Sequence, residues 1–334
     1  MCRMCLVEVG TPRMGPDRKP VLKADGTPEI AWMPKPQTAC TMTVSEGMVV
    51  RASAPSVQEA RRGVVEFLLT SHPLDCPICD KGGECTLQEE TMSYGPGRSR
   101  FVYNDKFFNE KRVPLGPLIM LDRERCVQCA RCIRFQDEIA DDRVLGFSER
   151  GRGMEIITFS NPPFDSKFSG NTTDICPVGA LTTSDFRFRA RPWEVEYVPS
   201  VCPHCAVGCN LTLSVRNHED IRRVLPRTNP AVNDIWLCDK GRFGHHFATS
   251  PIRLTTPLIC KNGNLTEASW SEAYELIAER IAAAKVKGPD AIAGRAGDSL
   301  ANEDLYLFGK LFREVLRSDR VSSVAEADDL NATV

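Results

Sequence analysis

Fifteen cysteines in 334 residues constrain this chain more than any other feature. They stand in tight groups, with two-residue gaps recurring from Cys2 to Cys209. The opening "MCRMCLVEVG" has no basic stretch followed by an apolar one, so no export signal is visible there. Pairing within a C-x2-C would leave the triplets unexplained. Such groups read as metal or cluster ligands kept reduced in the cytoplasm.

Spacing separates the candidates. "CPHCAVGC" presents Cys202, Cys205 and Cys209, with Cys238 remote in "LCDKG". Structural zinc favours two close pairs, whereas a [4Fe–4S] group takes three close ligands and one from elsewhere. Four cysteines suffice, which leaves His204 as a loop residue. "CVQCARCIRFQ" presents Cys126, Cys129 and Cys132. In a two-cluster ferredoxin the run is C-x2-C-x2-C-x3-C-P, and its fourth cysteine serves the other cluster. Here the fourth position is Gln136. Counting back from Cys176 in "CPVGAL", the same template places its partners at Ser166, Ser169 and Thr172. One triplet lacks its remote cysteine and one remote cysteine lacks its triplet. Cys126, Cys129, Cys132 and Cys176 are therefore expected to hold one [4Fe–4S] group, with the second site lost.

"SHPLDCPICDKGGECTLQ" offers His72, Cys76, Cys79 and Cys85. By analogy this triplet takes a [4Fe–4S] group with His72 as the fourth ligand; zinc in a Cys3His site stays open, as does a purely structural His72. The two glycines of "DKGGEC" would let backbone approach inorganic sulfide. Cys2, Cys5 and Cys40 supply three ligands of a plant-type [2Fe–2S] site. The chain begins one residue before Cys2, so the expectation is a fragment or a misplaced start lacking the first ligand. Cys260 has no ligand neighbours and reads as a packing residue.

The bulk properties narrow the function. A net charge of -2 gives no electrostatic case for nucleic acid or an acidic membrane surface. No apolar run is long enough to span a bilayer. The length suits two or three domains. Residues 1–52 suggest strands and hairpins. Ser56 with Glu59 predicts a capping box opening a helix whose apolar positions are Val57, Ala60, Val64, Phe67 and Leu68. Residues 185–199 read as a solvated or packed connector. "LICKNGNLT" predicts a hairpin on an Asn-Gly turn. Ser269 with Glu272 caps a helix to Lys285, "AIAGRAG" is a short strand and turn, and 302–317 is a second helix, the opening of an α/β domain.

With these motifs in order, the chain resembles the large iron–sulfur subunit of NADH:quinone oxidoreductase, bacterial respiratory complex I, over essentially its whole length. "CRMCLVEV" with Cys40, "HPLDCPICDKGGEC", "CVQCARCIRF", "DICPVGAL" and "CPHCAVGCN…WLCDKGRF" carry the resemblance. It implies an α+β multidomain fold. A partial β-grasp [2Fe–2S] ferredoxin domain would occupy 1–55. A [4Fe–4S] domain with one histidine and three cysteine ligands would occupy 56–103, and a [4Fe–4S] ferredoxin-like domain 104–195. A [4Fe–4S] domain of molybdopterin-oxidoreductase type would span 196–250, and the truncated start of a molybdopterin-oxidoreductase-like α/β domain 251–334. The implied cofactors are three [4Fe–4S] clusters and one [2Fe–2S] cluster, without molybdenum. The implied partners are the NADH- and FMN-binding flavoprotein subunit and other peripheral-arm subunits, at the cytoplasmic face of the bacterial inner membrane. The implied role is electron relay from flavin toward quinone, with no bond-making active site in this chain. In that frame Arg125, Arg131 and Arg134 either favour reduction of the group beside them or are surface arginines. Lys240 resembles a lysine between cluster and pterin in molybdenum enzymes.

Three other readings compete. A molybdenum-dependent formate dehydrogenase resembles the same N-terminal half, but keeps the second ferredoxin cluster lost here. It also often places a metal-binding Cys near "SDRVSSVAEADDL", which has none. A NAD-reducing hydrogenase subunit would not carry the Cys202–Cys238 group. A non-redox zinc protein is opposed by the repeated three-plus-one spacing.

Overall fold

The computed structural model describes residues 4–297 and 300–323. The chain divides into two compact units, residues 1–200 with 209–244, and residues 201–208 with 245–334.

In the first unit, strand Leu6–Pro12 is the hub of a four-stranded antiparallel sheet. It pairs with Ile30–Trp32, Gln37–Thr38 and Val49–Arg51. Val7 and Val9 alternate onto the buried face, the period of a half-buried strand. Helix α1, Pro55–Leu69, follows. Proline suits its first turn, where no backbone N–H is needed. Val57 and Val65, eight residues apart and so on one face, are its buried residues. The capping box expected at Ser56 does not form: the N-cap is Ala54, two residues earlier, and the Ser56 hydroxyl donates to Glu8 instead. Phe67, expected on the apolar face, is exposed. Helix α2, Thr86–Tyr94, begins just after Cys85.

The middle of the unit is a three-stranded antiparallel sheet, Val113–Pro114, Ile119–Leu121 and Leu181–Thr183, and a hairpin of Leu145–Ser148 with Glu155–Thr158. Helices α3, Arg131–Glu138, and α4, Asn171–Ile175, lie among them. One core runs beneath all of this. It joins Leu115, Ile119, Leu121, Leu145, Ile156 and Leu181 to Cys85, Cys132 and Cys176. Strands Glu196–Val201, Asn210–Arg216 and Asp220–Pro226 form a further sheet, and α5, Asp239–Phe243, follows Cys238.

In the second unit the expected hairpin is Leu258–Lys261 with Asn264–Glu267. Asn262 and Gly263 both take positive φ, as a two-residue hairpin turn requires. Ser269 caps α6, Trp270–Lys285, in a reciprocal capping box with Glu272. Strand Gly294–Ala296 pairs in parallel with Val321–Ser323, and α7, Asn302–Lys310, lies between them in sequence. A single π-helical stretch, Leu311–Leu316, continues α7 to Arg317.

Candidate metal centres

The loop after α1 carries the first donor set. His72, Cys76, Cys79 and Cys85 all line one cavity of about 550 Å³. A 3-10 turn, Cys76–Ile78, turns the chain so that Cys79 follows directly, and Cys85 precedes α2. Glycine clears the space. A Cβ on Gly179 would lie 2.2 Å from Cys79 Sγ. One on Gly82 would lie 2.8 Å from the Cys76 carbonyl oxygen, and Gly83, at φ +95°, would meet Trp193 at 2.8 Å. The two loop glycines thus make room for the loop's own carbonyls and for Trp193.

The supposed connector is packed onto this loop. Arg191 donates to the carbonyls of Cys79, at 2.6 Å, and of Pro77. The Phe188 N–H donates to Asp80, and Trp193 lines the cavity. Arg223 holds Glu84 through two bonds of 2.8 Å.

The electrostatics suit a cationic occupant. Burial pushes the Cys79 and Cys85 thiols up, because an isolated thiolate is poorly solvated there. Burial, with Lys106 and Arg125 nearby, pushes His72 down to about 4, so it is neutral with a lone pair to give. His72 Nδ1 is buried and meets no hydrogen-bond partner among the described residues. A neutral, unpaired imidazole nitrogen beside three thiols is a donor set that fits zinc or an iron–sulfur group.

The second donor set is wound around a loop. Gln128 and Ala130 adopt left-handed φ values of 53° and 63°. These alternate with Cys126, Cys129 and Cys132 and coil the chain tightly. The Gln128 N–H points at Cys126 Sγ, 3.4 Å away. Cys176 arrives at the end of α4. It raises the thiol pKa values of Cys126, Cys129 and Cys132 through its charge, so the four are mutual neighbours. Burial is the larger cause: Cys126 is pushed up to about 12, and Cys129 and Cys132 also rise. Thiols so placed ionise readily only against a cation.

Gln136, Ser166, Ser169 and Thr172, where a two-cluster ferredoxin would carry cysteines, also come together. Ser166 donates to Gln136 at 3.1 Å, and Thr172 donates to the Ser169 carbonyl at 2.6 Å. Gln136, Ser169 and Thr172 are essentially inaccessible to solvent. Asp239, the neighbour of Cys238, has entered this region. It accepts from Ser169 Oγ at 2.6 Å, Ser169 N at 3.0 Å and Gly170 N at 2.8 Å. Asn171 bonds Leu237 in both directions, and Arg242 pairs with Asp174.

Of the remaining ligands, Cys5 and Cys40 have sulfurs 3.4 Å apart, and Cys2 lies outside the described residues. Hydrogen bonds from Cys40 hold the Cys5 thiol below its usual range. Cys202 and Cys205 belong to the second unit; Cys209 and Cys238 belong to the first, where Cys238 Sγ accepts from Gly241 N at 3.4 Å. Cys260 is exposed, and so is Lys240. Arg134 pairs with Glu138 on the surface and Arg131 is exposed. Arg125 is the surprise. It precedes Cys126 in sequence, yet its side chain lines the His72 cavity and bonds Asp75. Gly179, Arg191, Trp193 and Asp75 were not singled out by sequence; Gly179, inside "CPVGAL", and Asp75, inside "HPLDCPIC", sat in motifs that were.

Comparison with known proteins follows the same order along the chain. Residues 61–100 match the NADH-ubiquinone oxidoreductase-G iron-sulfur binding region. Residues 116–182 match the ferredoxin-like domain of NADH-quinone oxidoreductase subunit 3. Residues 195–250 match the molybdopterin oxidoreductase Fe4S4 domain, and 253–330 match molybdopterin oxidoreductase. The chain is thus a mixed α/β protein with iron–sulfur binding regions. Subunit 3 of the Thermus thermophilus NADH-quinone oxidoreductase is 48% identical over 299 residues, 85% of this chain and 37% of that protein. The corresponding NADH-quinone oxidoreductase subunit from Streptomyces coelicolor is 42% identical over 342 residues, 100% of this chain and 37% of its own. The one from Rickettsia felis is 42% identical over 94% of this chain and 43% of its own. A solved NAD+-reducing [NiFe]-hydrogenase overlaps 57% of this chain and 71% of its own at 25% identity, with a TM-score of 0.42, too loose an overlap to argue from. The chain therefore spans well under half the length of these curated relatives, and by sequence and motif order it belongs to the NADH-quinone oxidoreductase family of iron–sulfur subunits that includes subunit 3 of Thermus thermophilus.

Proposed function

We propose that this chain is an electron-relay segment of an NADH:quinone oxidoreductase, which makes it part of an oxidoreductase without a bond-making site of its own. The observation that carries the reading is the pair of thiol-rich donor sets on one shared core, His72/Cys76/Cys79/Cys85 and Cys126/Cys129/Cys132/Cys176. Iron–sulfur groups supply reversible one-electron chemistry when bound. The chain's part is to hold them, exclude water and fix the polarity around each. Arg125 and Cys126 are consecutive, and Arg125 lines the other cavity, so the two donor sets share a neighbouring residue.

The ligand assignment is part of the proposal. His72, Cys76, Cys79 and Cys85 hold one [4Fe–4S] group, and Cys126, Cys129, Cys132 and Cys176 hold a second. Cys202, Cys205, Cys209 and Cys238 hold a third. Cys2, Cys5 and Cys40 serve a [2Fe–2S] group in a β-grasp domain. The domain boundaries near 55, 103, 195 and 250 belong to the same reading. Electrons would come from a flavoprotein subunit that oxidises NADH and pass to other peripheral-arm subunits toward quinone, at the cytoplasmic face of the membrane. Among the described residues no helix is long and apolar enough to cross a membrane.

Metal analysis with low-temperature EPR on anaerobically reconstituted protein tests the reading. About twelve irons per chain and several distinct four-iron signals are expected from three such groups. Stoichiometric zinc with no signal after reduction would overturn it.

A further inference from the structure

Among the described residues lining the His72 cavity, Arg125 is the one permanent cation. It is 3% exposed. Two of its nitrogens are engaged. Nε and Nη2 lie 3.3 and 3.0 Å from Asp75 Oδ2, and Nε lies 3.3 Å from Asp122 Oδ2. The third, Nη1, is buried and meets no acceptor among the described residues. A buried N–H left without an acceptor bears the full cost of losing water. The guanidinium is planar and rigid, so the two aspartates that grip one edge also fix where Nη1 points. Arg191, the other arginine at this loop, directs Nη1 and Nη2 to the carbonyls of Cys79 and Pro77.

We propose that Arg125 Nη1 donates an N–H···S hydrogen bond to the iron–sulfur group of His72, Cys76, Cys79 and Cys85, and thereby raises its reduction potential. The proposal rests on the ligand reading above. Reduction adds one electron and makes the sulfurs more negative, so the bond strengthens in the reduced state; arginine keeps its proton throughout. Because Asp75 and Asp122 balance much of the positive charge, the directed bond rather than net charge does the tuning.

The test needs no mutation at first. The intact protein, grown with 15N-labelled arginine, is reduced and examined by pulsed EPR. The expected result is coupling to one arginine nitrogen on the same signal that carries the imidazole coupling of His72. An imidazole-coupled signal without arginine coupling overturns the proposal and leaves the ligand reading standing. Loss of any imidazole-coupled signal overturns the ligand reading, and the proposal with it. Redox titration then compares R125M and R125K at equal iron content. The potential falls in R125M and falls less in R125K, which keeps a charged donor. An unchanged potential in a fully loaded R125M overturns the proposal.

Discussion

Gly179 shows how a single hydrogen atom in place of a side chain decides whether a donor set can close. A Cβ there would sit 2.2 Å from Cys79 Sγ, far inside contact distance, and Lys81 Cβ would lie 3.3 Å away. Gly179→Ala is expected to remove about four irons per chain, one such group, while the Cys126 group keeps its EPR signal. Full iron content in that variant would show that the cavity does not hold the group. His72 tests the chemistry of the same site. Its neutral imidazole contributes no charge, whereas a thiolate contributes one negative charge. His72→Cys should therefore hold iron at a lower reduction potential and lose imidazole coupling in pulsed EPR. A retained coupling would assign the fourth ligand elsewhere.

Between elements, the region of Ser166, Ser169 and Thr172 is a hydrogen-bonded joint. The segment 166–174 and helix α5 meet through Asp239, which accepts three bonds from Ser169 and Gly170 while largely buried. Arg242 closes the joint against Asp174, and Gly170 leaves room for it: a Cβ there would lie 2.4 Å from Arg242. Burial pushes the Asp239 carboxyl up, and the Ser169 and Gly170 donors pull it back. Asp239→Ala should cost about 3 kcal/mol, since it strands buried donors that have nowhere else to go. Denaturant unfolding measures this, and a loss below about 0.5 kcal/mol, the range of an ordinary surface substitution, would show that water replaces the carboxylate. Asp239→Asn keeps an acceptor and should cost less.

At the scale of the whole molecule, Cys85, Cys132 and Cys176 share one apolar core with Leu121 and Leu145. Metal binding to such ligands is part of the folding free energy of the unit around them. Removing iron under anaerobic chelation should lower the thermal midpoint of the larger unit by roughly 10 °C or more, given about 2–4 °C per kcal/mol at this size. Calorimetry before and after reconstitution measures it. An unchanged transition would make the donor sets passengers on an independently stable core.

What the sequence determined by itself was whatever local spacing dictates. Three cysteines two residues apart can only curl round a common centre, and "CVQCARC" does so with Gln128 and Ala130 left-handed between them. The Ser269–Glu272 box and the Asn262–Gly263 turn are equally local and formed as expected, because all their partners lie within four residues. That Gln136, Ser166, Ser169 and Thr172 stand where a two-cluster ferredoxin has cysteines was legible too, and Ser166 does meet Gln136. The tertiary structure alone decided what depends on distant partners. Ser56 abandoned its cap because Glu8, 48 residues away, offers a stronger, charged acceptor. Arg125 turned from the cysteine beside it to a cavity built 50 residues earlier, because Asp75 stands there. Asp239 reached Ser169 from 70 residues further along the chain. Spacing places a ligand on the backbone, but a charged side chain goes where its desolvation is best repaid, and only the folded chain contains that partner.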